Sequence, residues 1–253
     1  MTAVDLDRWL SGVLKPEMFA EADPSRNGLQ VDNDGRDISC VAFAVDACRD
    51  SFERAAAAGA GMLVVHHGLF WKEAECVTGP LYQRIKTLFD NNIALYASHL
   101  PLDAHPLVGH NAGLAARIGL ERLEPFGIWR GLPIGFKGFF SEPVHLDVVL
   151  SRLFPDGKKP LAVLPFGQQN VCSVGIVSGG ASDEVWQAID EKLDLFITGE
   201  ISHEIYHPSQ EHGISVIAGG HYQTETVGLK LLSEKLALET GLETVFIDVP
   251  TGL

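Results

Sequence analysis

Two stretches of the chain, far apart in sequence, follow one plan. "ISCVAFAVDACRDSFERAAAAGAGMLVVHHG" and "VCSVGIVSGGASDEVWQAIDEKLDLFITGE" each read as a buried strand, a turn of small residues, a helix and a second buried strand. After a further helix come "NIALYASHLPLD" and "GISVIAGGHYQTE". In each, a strand is followed by a histidine with a carboxylate four residues later, His99/Asp103 and His221/Glu225. Each then runs into an amphipathic segment, "NAGLAARIGL" and "GLKLLSEKLALETGL". Short apolar, β-branched runs alternating with helices predict an α/β fold with mostly parallel sheets. The repetition predicts a duplicated βαβαβα unit forming two similar α/β domains, 1–125 and 126–253. Strands are expected at 38–45, 62–65, 93–97, 171–177, 195–198 and 215–218. Helices are expected at 50–58, 81–91, 111–118, 183–192, 204–211 and 227–239. The Gly-, Pro- and Phe-rich stretch 124–170 reads as a linker with some strand structure.

Composition narrows the partners. The 253 residues carry 46% hydrophobic and 21% charged side chains, ordinary for a globular chain that buries a sizeable core. No apolar run approaches the roughly 18 to 20 residues of a membrane span, which argues against a membrane partner. "MTAVDLDRWLSG" has no apolar core of the kind a signal peptide needs. A net charge of −14 with no basic patch argues against a nucleic-acid partner. Cys40, Cys48, Cys76 and Cys172 form no C-x-x-C pair and lie in or beside apolar runs, which predicts buried thiols in a reducing, cytoplasmic setting.

In parallel α/β sheets, functional groups gather at the carboxyl ends of strands. His66 and His67 end one expected strand, and Gly199-Glu200 hold the matching place in the second repeat. His99/Asp103 and His221/Glu225 end the third strands, so all these groups are expected to converge on one pocket between the domains. Adjacent histidines reach one site only where the chain leaves its sheet, and Gly68 allows that turn. His66, His67, Asp103, His221 and Glu225 make a mixed nitrogen and oxygen donor set suited to zinc, iron, manganese or nickel. Five donors with a carboxylate free to bridge fit two divalent ions roughly 3.5 to 4 Å apart better than one closed tetrahedral site. Glu225 is the expected bridge. His99 is expected as an outer partner or proton shuttle, with a sixth metal ligand as the alternative, and Glu200 and His203 as candidates for substrate contact or proton transfer. His105 and His110 read as surface loop, and His145 and His212 as exposed. Asn27-Gly28 in "DPSRNGLQV" reads as a turn before an extended segment containing Gln30, and "SGGAS" weakly resembles an anion-cradling turn.

One local pattern points elsewhere. His203-Glu204-Ile205-Tyr206-His207 is H-E-x-x-H, which in zinc proteases places two ligands one helical turn apart. Here Pro208 follows the second histidine and the preceding "LFITGE" is a strand entering a turn, so the motif is the least favoured reading. In their order and spacing, "NGLQV", "HHGLFW", "SHLPLD", "ITGE" and "GHYQTE" resemble the NIF-three-like proteins, also called GTP cyclohydrolase 1 type 2 homologues, across essentially the whole chain. Gly68 stands where that family commonly has proline. The resemblance implies a dinuclear metal site at the same five residues, a two-domain α/β subunit and a toroidal homohexamer with its metal sites facing inward. It also implies a hydrolase that opens the guanine imidazole ring of GTP through a metal-bound hydroxide, or acts more broadly on a small nucleotide-like or phosphate-containing substrate. A ring-shaped metal-binding scaffold or regulatory protein without turnover is the alternative.

Overall fold

The computed structural model describes residues 1–73 and 76–253. Its strands are β1 Gly28–Val31, β2 Cys40–Asp46, β3 Met62–His67, β4 Ala94–Ala97, β5 Glu121–Trp129, β6 Leu132–His145, β7 Ala162–Pro165, β8 Asn170–Val177, β9 Leu195–Thr198, β10 Ser215–Ala218 and β11 Glu243–Phe246. Its α-helices are α1 Ala3–Leu14, α2 Arg49–Ala57, α3 Gly79–Asn91, α4 Leu100–Asp103, α5 His110–Ile118, α6 Leu146–Leu153, α7 Val185–Asp190, α8 Tyr206–His212, α9 His221–Thr224 and α10 Val227–Thr240. No helix among the described residues is long and apolar enough to cross a membrane.

The strands form two mixed sheets in which five of nine pairings are parallel. One sheet has the order β1-β4-β3-β2-β11, parallel except for β1 at its edge. The other has the order β5-β6-β8-β9-β10-β7, with a parallel centre (β8-β9-β10) and antiparallel strands on both flanks. By compactness the chain divides into Met1–Leu102 with Leu229–Val249, and Asp103–Gly228 with Pro250–Leu253. This cut follows pairing, whereas the repeats at 1–125 and 126–253 follow sequence order. Strand β11 returns to pair with β2, and β5 and β6 belong to the second sheet.

In the first unit β2 ("CVAFAVD") and β3 ("MLVVHH") are apolar on both faces because both faces are buried. One face of the sheet and its helices share a core of Ala42, Ala44, Phe52, Leu63, Val65, Leu88, Leu95 and Ile247. Tyr96, on the other face of β4, brings its hydroxyl within 3.4 Å of Ser11 on α1. Helix α1 opens with a capping box. Thr2 Oγ1 accepts the Asp5 N–H at 3.3 Å, while the Asp5 carboxylate accepts the Thr2 N–H at 3.1 Å. Leu6, Leu10 and Leu14, four residues apart, form its buried stripe.

In the second unit the stretch 124–170, expected as a linker, is instead the β5–β6 hairpin, α6 and β7. Its glycines hid the strands: Gly135 and Gly138 lie where a side chain would run into backbone or neighbouring side chains, so they mark tight packing rather than loop. Helices α5 and α6 cap one another reciprocally. Arg152 donates to Ile118 O at 2.7 Å and Arg117 to Leu153 O at 3.3 Å, each guanidinium meeting the negative end of the other helix.

Phe52 is fully buried in the first core. Phe52→Ala is expected to cost about 3 to 5 kcal/mol, measured by urea denaturation. A loss below about 1 kcal/mol would contradict this packing.

Candidate metal centre

In the first unit the carboxyl ends of three adjacent parallel strands carry the chemistry. Asp46 ends β2 opposite His67, the last residue of β3, and Ser98-His99 follow β4. The rings of His66 and His67 lie 4.6 Å apart between centroids, and those of His66 and His99 5.1 Å apart. One donor nitrogen from each of His66, His67 and His99 lies within 4.8 Å of the others. His66 is fully buried.

Each ring is held at Nδ1 by an oxygen acceptor. His66 Nδ1 donates to Ser98 O at 2.9 Å, His67 Nδ1 to Asp46 Oδ1 at 2.9 Å, and His99 Nδ1 to Asp23 Oδ1 at 2.8 Å. A proton fixed at Nδ1 leaves the Nε2 lone pair as the basic one, the tautomer a metal ligand needs.

The segment read as a plain turn, "DPSRNGLQV", is the outer support of this cluster. Besides His99, Asp23 accepts from the N–H groups of Ser25 and Leu100 and from Asn27 Nδ2, while Asn27 Oδ1 accepts the His99 N–H at 2.8 Å. Gln30 clamps the turn after the histidine pair. Its Oε1 accepts from Leu69 and Phe70 N–H, and its Nε2 donates to the carbonyls of Arg26 and Phe70. A side chain at position 68 would sit 2.5 Å from the Gln30 amide, so glycine here admits the clamp.

The second unit repeats the arrangement at the ends of β8, β9 and β10. His221 Nδ1 meets Glu200 Oε1 at 2.5 Å and its Nε2 meets Glu225 Oε1 at 3.1 Å. Burial works to lower the His221 pKa, but Glu225 and then Glu200 outweigh it and raise it to about 9. A ring set between two carboxylates favours any cation at Nε2, proton or metal. Asp103 is buried and its Oδ1 accepts from Ser178 Oγ at 3.0 Å. Glu225 is buried at the end of α9. "SGGAS" does not work as an anion cradle. The Gly179 N–H donates to Thr224 Oγ1, and the Gly179 carbonyl accepts from Gly199 and Glu200 N–H, so the turn ties the three strand ends together.

Thus His66, His67 and His99 come together in one unit, and His221, Glu225 and Glu200 in the other. His203 does not join them. It is exposed in a 3-10 turn, with His207 in α8 beyond it and also exposed. Neither belongs to a possible metal-holding group among the described residues. His110, expected on a surface loop, is fully buried, whereas His145 and His212 are exposed as expected. The four cysteines are free, but of the thiols expected to be buried only Cys40 is; Cys48 is half-buried, and Cys76 and Cys172 are exposed.

Residues 1–252 match the family model described as Duf34/NIF3 (NGG1p interacting factor 3). The chain belongs to this family. A Treponema pallidum protein named GTP cyclohydrolase 1 type 2 homolog is 48% identical, with 100% of both chains covered. An Archaeoglobus fulgidus protein of the same name is 42% identical, again over 100% of both. The crystal structure of TTHA1606 from Thermus thermophilus superimposes on this Duf34/NIF3 chain with a TM-score of 0.92 at 39% identity, covering 100% of each. The donor set fits the metal binding that the sequence motifs imply: nitrogen and carboxylate donors, with imidazole tautomers already fixed.

The Asp23–His99 pair makes a pH prediction. Burial works to raise the Asp23 carboxyl, but hydrogen bonds from His99, Asn27 and Ser25 hold it below its ordinary value. A carboxyl depressed on folding stabilises the protein above its unfolded pKa near 3.9 and loses that increment as pH falls through the folded value. Asp23→Asn is therefore expected to cost about 2 kcal/mol at pH 7 and progressively less toward pH 3, measured by denaturant unfolding. An undiminished difference at pH 3 would contradict the assignment.

Proposed function

We propose that this Duf34/NIF3 chain is a metal-dependent hydrolase in which His66, His67, Asp103, His221 and Glu225 hold two divalent transition-metal ions. The observation that carries the proposal is the common treatment of the three ligand imidazoles. Each has an oxygen acceptor at Nδ1, a backbone carbonyl for His66 and a carboxylate for His67 and His221. Bound ions would supply Lewis acidity, bringing the pKa of coordinated water toward neutrality and polarising a substrate oxygen. Around them, Asp46 and Glu200 orient their histidines. Ser178 fixes Asp103, and Glu225 would supply the second carboxylate donor to the ions. His99, oriented by Asp23, is placed to move a proton beside His66 and His67.

The substrate class that fits is a nucleotide or another phosphate-containing small molecule. The relatives named GTP cyclohydrolase 1 type 2 homolog supply GTP as the first compound to test. Assembly into a homohexameric ring belongs to the same proposal. Exposed apolar side chains such as Leu107, Leu238 and Phe89 give such an assembly surface to bury. The free thiols suit a reducing cytoplasm.

Elemental analysis after dialysis is expected to find about two metal ions per chain. His67→Ala is expected to lose metal, whereas His99→Ala keeps it and turns over at least about a hundredfold more slowly. Glu225→Gln should lose most turnover in a screen of GTP, other nucleotides and phosphate esters. A fully active Glu225→Gln protein would sink the mechanism, and metal-loaded wild type inert across the screen would favour a scaffold.

A further inference from the structure

His110 is fully buried, yet the five proposed ligands and the outer groups described above account for the site without it. It is the first residue of α5, and its neighbour Asn111 is wholly engaged. Asn111 Nδ2 donates to Asp103 O and Ile134 O, and its Oδ1 accepts the Ser178 N–H at 2.7 Å. A ring nitrogen of His110 and a carboxylate oxygen of Asp103 lie within 4.8 Å of each other. Position and burial alone would make His110 one more metal ligand.

The hydrogen bonding at its other nitrogen argues against that. The Gly228 N–H donates to His110 Nδ1 at 3.0 Å. An N–H can be accepted only by a nitrogen holding its lone pair, so the His110 proton sits on Nε2. His66, His67 and His221 show the reverse: an oxygen acceptor at Nδ1. The contact with Gly228 is close and specific. A Cβ at position 228 would lie 2.7 Å from His110 N and 2.9 Å from His110 Nδ1, so only glycine brings its amide this near.

We infer that His110 is a positioning residue for the Asp103 carboxylate: a fixed Nε2–H donor, not a metal ligand. The Gly228 amide selects its tautomer, and the inferred role assigns the remaining Nε2–H to Asp103, a carboxylate oxygen of which lies within 4.8 Å of a ring nitrogen. Ser178 takes Oδ1 of that carboxylate. A second donor on the same group fixes its rotation and thereby the lone pair it offers to an ion. The inference rests on the metal reading above for its consequence, and on the Gly228 contact for its chemistry.

The test uses the full chain. Nitrogen-15 spectra of the histidine rings, assigned with His110→Gln, are expected to show the Nε2–H form for His110 with and without added Zn²⁺. Titration with Zn²⁺ should give His110→Phe the same number of sites as wild type but about tenfold weaker affinity. His110→Gln, whose amide can still donate, should recover most of that loss, and thermal melts identify a variant that fails by misfolding. An Nδ1–H form for His110, or the loss of a whole metal equivalent in His110→Phe, would overturn the inference. So would unchanged affinity in a folded His110→Phe. Wild type that takes up no Zn²⁺ would end the metal reading and leave the tautomer to decide this one.

Discussion

An imidazole has two nitrogens, and the one that carries the proton decides which of them can hold a metal and which can only donate a hydrogen bond. The functional region of this protein is organised around that choice. Ser98 O, Asp46 and Glu200 take the Nδ1 protons of His66, His67 and His221, and Gly228 denies one to His110. Each determinant lies just where an element ends or begins: the last residue of β2, the residue after β4, the second residue after β9, the second residue of α10. The fold sets the tautomers because it sets where strands stop.

The carboxylates follow the same logic from the opposite direction. Asp103 and Glu225 are buried, and a buried carboxylate is costly unless donors or a cation meet it. The second unit sets Glu225 and Glu200 around one histidine, and the outcome is the rise of His221 to about 9. A structure stabilised only by apolar packing would have little use for such a cluster. One that binds cations needs it, since the proton on His221 occupies a place a metal can take.

Much of this is legible in sequence because it depends on short range. β9 and β10 fall where the apolar runs place them, and the other predicted strands shift by only a residue or two at their ends. A buried parallel strand has few other ways to look, and the histidines and carboxylates at strand ends are carried along with it. What escapes is what depends on contacts distant in sequence. Asp23 and Asn27 reach His99 across more than seventy positions, and His110 meets an amide 118 residues away. Asp46 was closer to being found: it ends an apolar run one strand before the histidine pair, and parallel neighbours bring such ends together. The 124–170 stretch misled for a different reason. Glycine signals both loops and close-packed strands, and only the neighbours of Gly135 and Gly138 separate the two.

The H-E-x-x-H pattern shows why repeated geometry outweighs a local motif. In H-E-x-x-H, two histidines four residues apart share a metal ion when one continuous α-helix stacks them on one face. Here His203 lies in a 3-10 turn, whose tighter winding rotates it away from the α-helical register that His207 keeps. The motif is present in letters and absent in helix. His221 and Glu225 have the same spacing of four, and there the short turn of α9 brings Nε2 within 3.1 Å of the carboxylate. The difference is made by the strand that precedes each pair. β10 delivers His221 through two glycines directly to the carboxyl edge of its sheet, whereas β9 spends that position on Glu200 and carries His203 past it. Spacing becomes chemistry only at the place where the sheet ends.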